Sequence, residues 1–235
     1  MNSPLKLKTS PLKSIFQFIP KYFKDPLSGL THFIGFVLAI VALIVLVTLG
    51  IKIESVWHIV SYSIFGAGLI LLYLASTLYH WIPVKGKAER VLRKIDHIMI
   101  FVLIAASYTP VCLIPLRGAW GWSMFGVVWG ITAVGILIKI FYIHAPDWLA
   151  AAIYVGMGWL ALIAIYPMVT TLQPQAIFWL FAGGVFYTVG AVVFALDWPK
   201  LWPKVFGAHE LFHIFVLLGS ASHFWLMYRF ISEFV

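Results

Sequence analysis

The apolar positions of this chain neither alternate nor recur every three or four residues; they run together in blocks. Seven such blocks can be marked, at about 30–50, 57–82, 96–115, 120–142, 148–170, 176–196 and 208–231. Each is about 20 residues long, the length of helix that crosses the ~30 Å hydrocarbon core of a bilayer at 1.5 Å per residue. Continuous blocks predict helices, because strands of a membrane barrel would show a period of two. The separators carry breakers and charge: Lys52 and Glu54, Pro83 to Lys94, Arg117-Gly118, Ala145-Pro146-Asp147, Gln173-Pro174 and Trp198 to Lys204. The pattern predicts an all-α fold, a seven-helix transmembrane bundle over residues 30–235 behind a basic tail over residues 1–29, without a soluble domain.

Composition agrees. Of the 235 residues 63% are hydrophobic and 10% charged, against roughly 25% charged in soluble domains, which excludes a water-soluble core. A net charge of +8 could suggest nucleic acid, but the basic residues lie in the gaps between blocks and build no stripe with interleaved aromatics. Membrane lipids are therefore the expected partners, and nucleic acid is not. The lone Cys112 can close no internal disulfide, and without a CxxC pair there is no thiolate metal site.

The first block follows a long basic leader and ends without a small-residue cleavage site, so it reads as a retained helix rather than a signal peptide. Within the leader, Leu12, Ile15, Phe16, Ile19 and Phe23 mix with Lys13, Lys21 and Lys24. This stretch either lies on an anionic leaflet or, interrupted by Pro20, forms a disordered tail.

Lys and Arg distribute unequally. Lys6, Lys8, Lys13, Lys21, Lys24, Lys85, Lys87, Arg90, Arg93, Lys94, Lys139, Lys200 and Lys204 fall on one side of the predicted topology, and Lys52, Arg117 and Arg229 on the other. Thirteen against three predicts the N-terminus in the cytoplasm and the C-terminus outside. Trp57, Trp81, Trp120, Trp122, Trp148, Trp198 and Trp202 fall near the expected interfaces, where indoles anchor helices. The pairs Gly66 and Gly68, Gly156 and Gly158, and Gly183 and Gly184 predict close helix contacts rather than phosphate loops.

Against this background a few polar groups stand out, because an ionisable residue at a membrane helix centre costs about 2.5 to 3.5 kcal/mol on insertion scales. The second helix ends Ser76-Thr77-Leu78-Tyr79-His80, the third begins Asp96-His97, and the seventh begins His209-Glu210-Leu211-Phe212-His213. His209 and His213, four residues apart, leave one helix face and can converge on one ion; Ser76 and His80 share that spacing. The predicted topology puts all three sets at one depth near the cytoplasmic face. Three imidazoles with an open position are a common catalytic zinc arrangement. His80, His209 and His213 are accordingly the expected ligands of one zinc ion. Asp96 is the expected proton acceptor, with Glu210 its competitor, and Ser76 would orient a substrate carbonyl or a water. His32, His58 and His97 read as interfacial, structural or neighbouring groups. His223, ten residues beyond His213, lies about 15 Å deeper and cannot reach the same ion. Ser107-Tyr108-Thr109-Pro110 reads as a kink whose hydroxyls cover freed carbonyls.

These residues, in this order and on one side of the membrane, resemble the hemolysin III proteins, the bacterial branch of the progestin and adiponectin receptor family. Ser76-x-x-x-His80, Asp96, His209-x-x-x-His213 and the downstream Ser222-His223-Phe224 carry the likeness over nearly the whole chain. The resemblance implies a multi-pass protein of the bacterial inner membrane and a zinc ion on His80, His209 and His213, with Asp96 and Ser76 beside it. Related receptors and alkaline ceramidases imply hydrolysis of a lipid amide; for bacterial members the family record is cytolysis and membrane homeostasis. At the leader the family's Glu-x-x-Asn-x-x-Thr-His is replaced by Asp25-Pro26-Leu27-Ser28-Gly29-Leu30-Thr31-His32, a departure that weakens any role assigned there.

The string His209-Glu210-Leu211-Phe212-His213 also fits the metalloprotease pattern His-Glu-x-x-His. An intramembrane protease needs a further acidic ligand, and the late acids Asp197 and Glu233 are poorly placed for it. Three readings stay open: a zinc-dependent hydrolase of a lipid amide or ester, a non-enzymatic membrane protein with structural zinc, and a lipid sensor.

Overall fold

The computed structural model describes residues 22–141, 147–202 and 206–234. Most of the basic leader, the Ala145-Pro146 separator and Lys204 fall outside the described residues, as does the Trp148 side chain. Helices α1 (Pro26–Lys52), α2 (Val56–Trp81), α3 (Lys87–Leu113) and α4 (Ala119–Phe141) give the first four spans. The fifth is composite: α5 (Asp147–Trp159), a 3-10 turn (Leu160–Ala164) and α6 (Ile165–Thr171). Helices α7 (Pro174–Leu196) and α8 (Ala208–Arg229) complete the bundle, and a 3-10 turn (Ile231–Glu233) extends α8. Among the described residues, seven helical spans are thus long and apolar enough to cross a membrane.

Helix starts follow local chemistry. Pro26 and Pro174 sit in the first turns of α1 and α7, where the missing N–H and fixed φ cost nothing. Ser55 caps α2 by accepting from the His58 N–H. Helix α3 begins at Lys87, nine residues before the apolar block that predicted it. Its added turns carry Glu89, Arg90, Arg93 and Lys94, straight-chain helix formers that reach water while the backbone stays helical. Asp96 therefore lies about two and a half turns inside α3 rather than at its start.

Helix α2 is the centre of the bundle, packed between α1 and α3, while α8 packs on α1 and α7 and α4 lies outside against α3. Without water, polar rungs between helices have strong partners. The Tyr62 hydroxyl donates to the Met227 carbonyl at 2.9 Å, the Tyr73 hydroxyl to Ser220 Oγ at 2.7 Å, and His58 Nε2 to the Ile231 carbonyl at 3.1 Å. All three join α2 to the last span.

Among the glycine pairs, Gly66 and Gly68 allow close approach as expected: a Cβ at Gly68 would lie 2.6 Å from the Ala106 Cβ. Gly156, Gly158 and Gly184 instead face open space, and the last two line an internal cavity. That corrects their reading as helix contacts. Ser107 and Thr109 bond back to the Ile104 and Ala105 carbonyls at 2.8 and 2.9 Å, neither of which is the Ala106 carbonyl that Pro110 deprives of its helical partner. Tyr108 serves the break in the fifth span. Its hydroxyl donates to the Gly158 carbonyl at 2.5 Å and accepts from the Ala161 N–H at 2.9 Å, supplying partners where the helix tightens.

Candidate metal centre

At the end of the bundle where α2 finishes, α1, α3 and α8 begin. His80 lies in the last turn of α2, and His209 and His213 lie in the first turns of α8. The i, i+4 spacing aims both α8 imidazoles at His80. One ring nitrogen from each of the three lies within 4.8 Å of the others, and the Nε2 atoms of His80 and His209 are 3.2 Å apart. His80 and His213 are buried, at 3% and 1% exposure.

The surroundings decide which nitrogens face the cluster. Asp25 Oδ2 accepts from His80 Nδ1 at 3.0 Å, and the Asp25 N–H donates to the His80 carbonyl at 2.8 Å. His213 Nδ1 meets the Ser28 carbonyl at 3.1 Å, with Thr31 Oγ1 at 3.1 Å. With both Nδ1–H groups spent on oxygens, the Nε2 lone pairs of His80 and His213 turn inward, the tautomer that metal ligation needs. Three imidazoles held so, without thiolate, suit a zinc ion with an open coordination position. The His80 hydrogen bond, opposed by partial burial, holds the Asp25 carboxyl below its ordinary pKa.

Asp96 and Ser76 are brought to the same place. The Asp96 carboxyl lies beside the Ser76 hydroxyl, within electrostatic reach of His80, and both border the cavity that His209 and His213 border. Glu210 is occupied elsewhere. Its Oε1 accepts from Ser28 Oγ at 2.6 Å and its Oε2 from the Gly207 N–H at 2.8 Å, so it caps α8 and clamps α8 to α1. Both oxygens are thus engaged in structural hydrogen bonds, which argues against the general-base role of the protease pattern.

The cavity holds about 180 Å³ and is mainly apolar. Along α3 its wall runs from Asp96 to Cys112, about 24 Å at 1.5 Å per residue. His223 borders its deep part and bonds the Leu180 carbonyl at 3.2 Å. It is thus both a hydrogen-bonded bundle residue and a cavity wall. His97 also lines the cavity, while His58 sits in the first turn of α2, at the opposite end of that helix from His80.

The leader reading needs correction. Asp25, Ser28 and Thr31 bond the clustered histidines or Glu210, and His32 stacks on His213 with ring centroids 3.5 Å apart. Where the family pattern has Glu and Asn, Asp25 here supplies a carboxylate to His80 and Ser28 a hydroxyl to Glu210. A signal was present: residues 25, 28 and 32 follow the i, i+3, i+7 spacing of one helix face.

Comparison with known proteins decides the family, since residues 21–224 match the family described as Haemolysin-III related. The chain belongs to the haemolysin-III family. It is 41% identical over 197 residues to the Hemolysin-3 homolog of Bacillus subtilis (strain 168), covering 84% of this chain and 89% of that one. To Hemolysin-3 of Bacillus cereus it is 37% identical over 216 residues, 92% and 94% of the two chains. A more distant likeness, 26% over 184 residues (76% and 73%), links it to the human Monocyte to macrophage differentiation factor. As a haemolysin-III protein with seven apolar spans, it is a multi-pass bacterial membrane protein.

Proposed function

We propose that this haemolysin-III protein is a zinc-dependent hydrolase of a lipid amide or ester. The observation that carries the reading is one of placement: of three histidines with converging nitrogens, His209 and His213 share a cavity wall with the Asp96–Ser76 pair, and that cavity is mainly apolar and long enough for an acyl chain. A closed structural zinc site has four protein ligands, whereas three histidines leave a position for substrate or water. When bound, zinc supplies Lewis acidity to a carbonyl oxygen and lowers the pKa of a water to about 7.

The chain's own residues do the rest. Asp96 takes the proton of the attacking water as the carbonyl carbon gains oxygen, and returns it to the amine or alkoxide as the C–N or C–O bond breaks. Ser76 fixes the rotamer of Asp96 from the next helix. The cavity holds the chain and keeps bulk water from the reacting end. The excess of Lys and Arg near this end supports a site opening to the cytoplasmic leaflet.

The test is product formation from a synthetic N-acyl lipid by zinc-loaded protein in detergent, with fatty acid read by mass spectrometry. Asp96→Asn is expected to keep its zinc and slow turnover by about 10²- to 10⁴-fold. Full activity in Asp96→Asn would overturn the role given to it. A second reading has its own observation: Asp25 and Ser28 tie the ligand histidines of α2 and α8 to the start of α1, as a purely structural zinc clamp would require. It is favoured if wild type yields no product from any amide or ester offered while zinc removal lowers its thermal midpoint.

A further inference from the structure

His32 is not one of the three ligands, and the hydrolytic scheme makes no use of it. It lies in the second turn of α1, 3% exposed, with its ring face to face on His213 at 3.5 Å and 10°. Tyr73 meets it edge-on at 5.1 Å. Neither ring nitrogen has a hydrogen-bond partner. The other buried histidines described each make at least one such bond: His58 to Ile231, His80 to Asp25, His213 to Ser28 and His223 to Leu180. A buried donor or acceptor left unpaired costs about 1–3 kcal/mol. Phenylalanine would serve as a stacking plate for His213 without that cost, so stacking alone does not account for an imidazole here.

The ring borders the cavity at the end occupied by Ser76, Asp96 and His209. Stacking on a ring that Ser28 and Thr31 hold in place fixes its orientation before any ligand arrives, which lowers the ordering cost of a later hydrogen bond. We infer that His32 is a substrate-binding residue: one of its ring nitrogens donates a hydrogen bond to the carbonyl oxygen of an acyl amphiphile whose chain occupies the cavity. The inference rests on the hydrolase reading for the identity of that carbonyl, and it adds a second point of attachment on the chain itself.

The experiment uses the full-length protein in detergent and dodecanohydroxamic acid as probe, an apolar chain ending in a carbonyl and a metal-binding oxygen. Zinc content is measured by elemental mass spectrometry and probe affinity by the shift of the thermal midpoint. His32→Phe keeps the stack and loses the nitrogens; His32→Gln loses the ring and keeps a donor. Both are expected to hold one zinc. His32→Phe should bind the probe about tenfold more weakly, the loss of one buried hydrogen bond, and His32→Gln within about threefold of wild type.

Equal probe affinity in wild type and His32→Phe overturns the inference and leaves the hydrolase reading standing. Zinc lost from folded His32→Phe also overturns it, because His32 then acts by positioning His213. Zinc-loaded wild type that ignores the probe overturns the hydrolase reading and this inference together. Where His32→Phe does not fold, His32→Leu takes its place with the same outcomes.

Discussion

The carboxylate of Asp25 is a partly exposed member of the candidate metal centre, and its removal can be reasoned quantitatively. Asp25→Ala deletes the acceptor 3.0 Å from His80 Nδ1 but leaves the bond from the residue 25 N–H to the His80 carbonyl, so the chain entry to α1 stays in place. Without the carboxylate the His80 tautomer is no longer enforced and its Nε2 becomes less basic. Removing such a partner costs about 10- to 100-fold in metal affinity. The Asp25 side chain is 43% exposed, and water screens its charge, which places the effect at the low end. A loss of about tenfold, or about 1.4 kcal/mol, is expected. Asp25→Asn retains a neutral acceptor and should lose about threefold. Zinc competition against a chelator of known affinity, in detergent at fixed pH, reads both. Wild-type affinity in Asp25→Ala would refute the reasoning. A loss as large as that of His80→Ala would refute it differently, by making Asp25 itself a ligand.

Two further expectations concern groups outside the ligand set. Glu210→Gln should keep bound zinc and hydrolytic turnover within a few-fold of wild type. Glu210→Ala, which strands the Ser28 hydroxyl and the Gly207 N–H, should cost about 1–3 kcal/mol in unfolding experiments; a Glu210→Gln enzyme that binds zinc yet is inactive would restore the protease pattern. Tyr108→Phe removes the partner of the Ala161 N–H and the Gly158 carbonyl inside the bundle. It should lower stability by about 1–3 kcal/mol with zinc content unchanged, and unaltered unfolding would show that the break in the fifth span is satisfied in another way.

How far the sequence reached can be argued residue by residue. Block length was enough for seven spans, because the bilayer imposes a length that no soluble core does. The His80, His209 and His213 cluster was legible because i, i+4 spacing and alternating helix direction are both periodic rules, readable without coordinates. The start of α3 was missed because hydropathy marks the bilayer, whereas Glu89 to Lys94 stay helical in water. The break at Leu160–Ala164 and the cavity depend on how neighbouring helices diverge, which one helix's pattern does not encode. The Asp25 to His32 segment was misjudged for a different reason. There the chemistry is supplied by a carboxylate, a small hydrogen-bonding side chain and a carbonyl, which Asp25 and Ser28 provide although their letters differ from the family's Glu and Asn.

The central claim is that His80, His209 and His213 hold one metal ion. Elemental mass spectrometry of detergent-purified wild type beside His80→Ala, His209→Ala and His213→Ala tests it most directly. About one zinc per wild-type chain, lost in each variant while the helical content persists, is the predicted result. Wild type that stays folded and takes up no zinc when the metal is added back would contradict it.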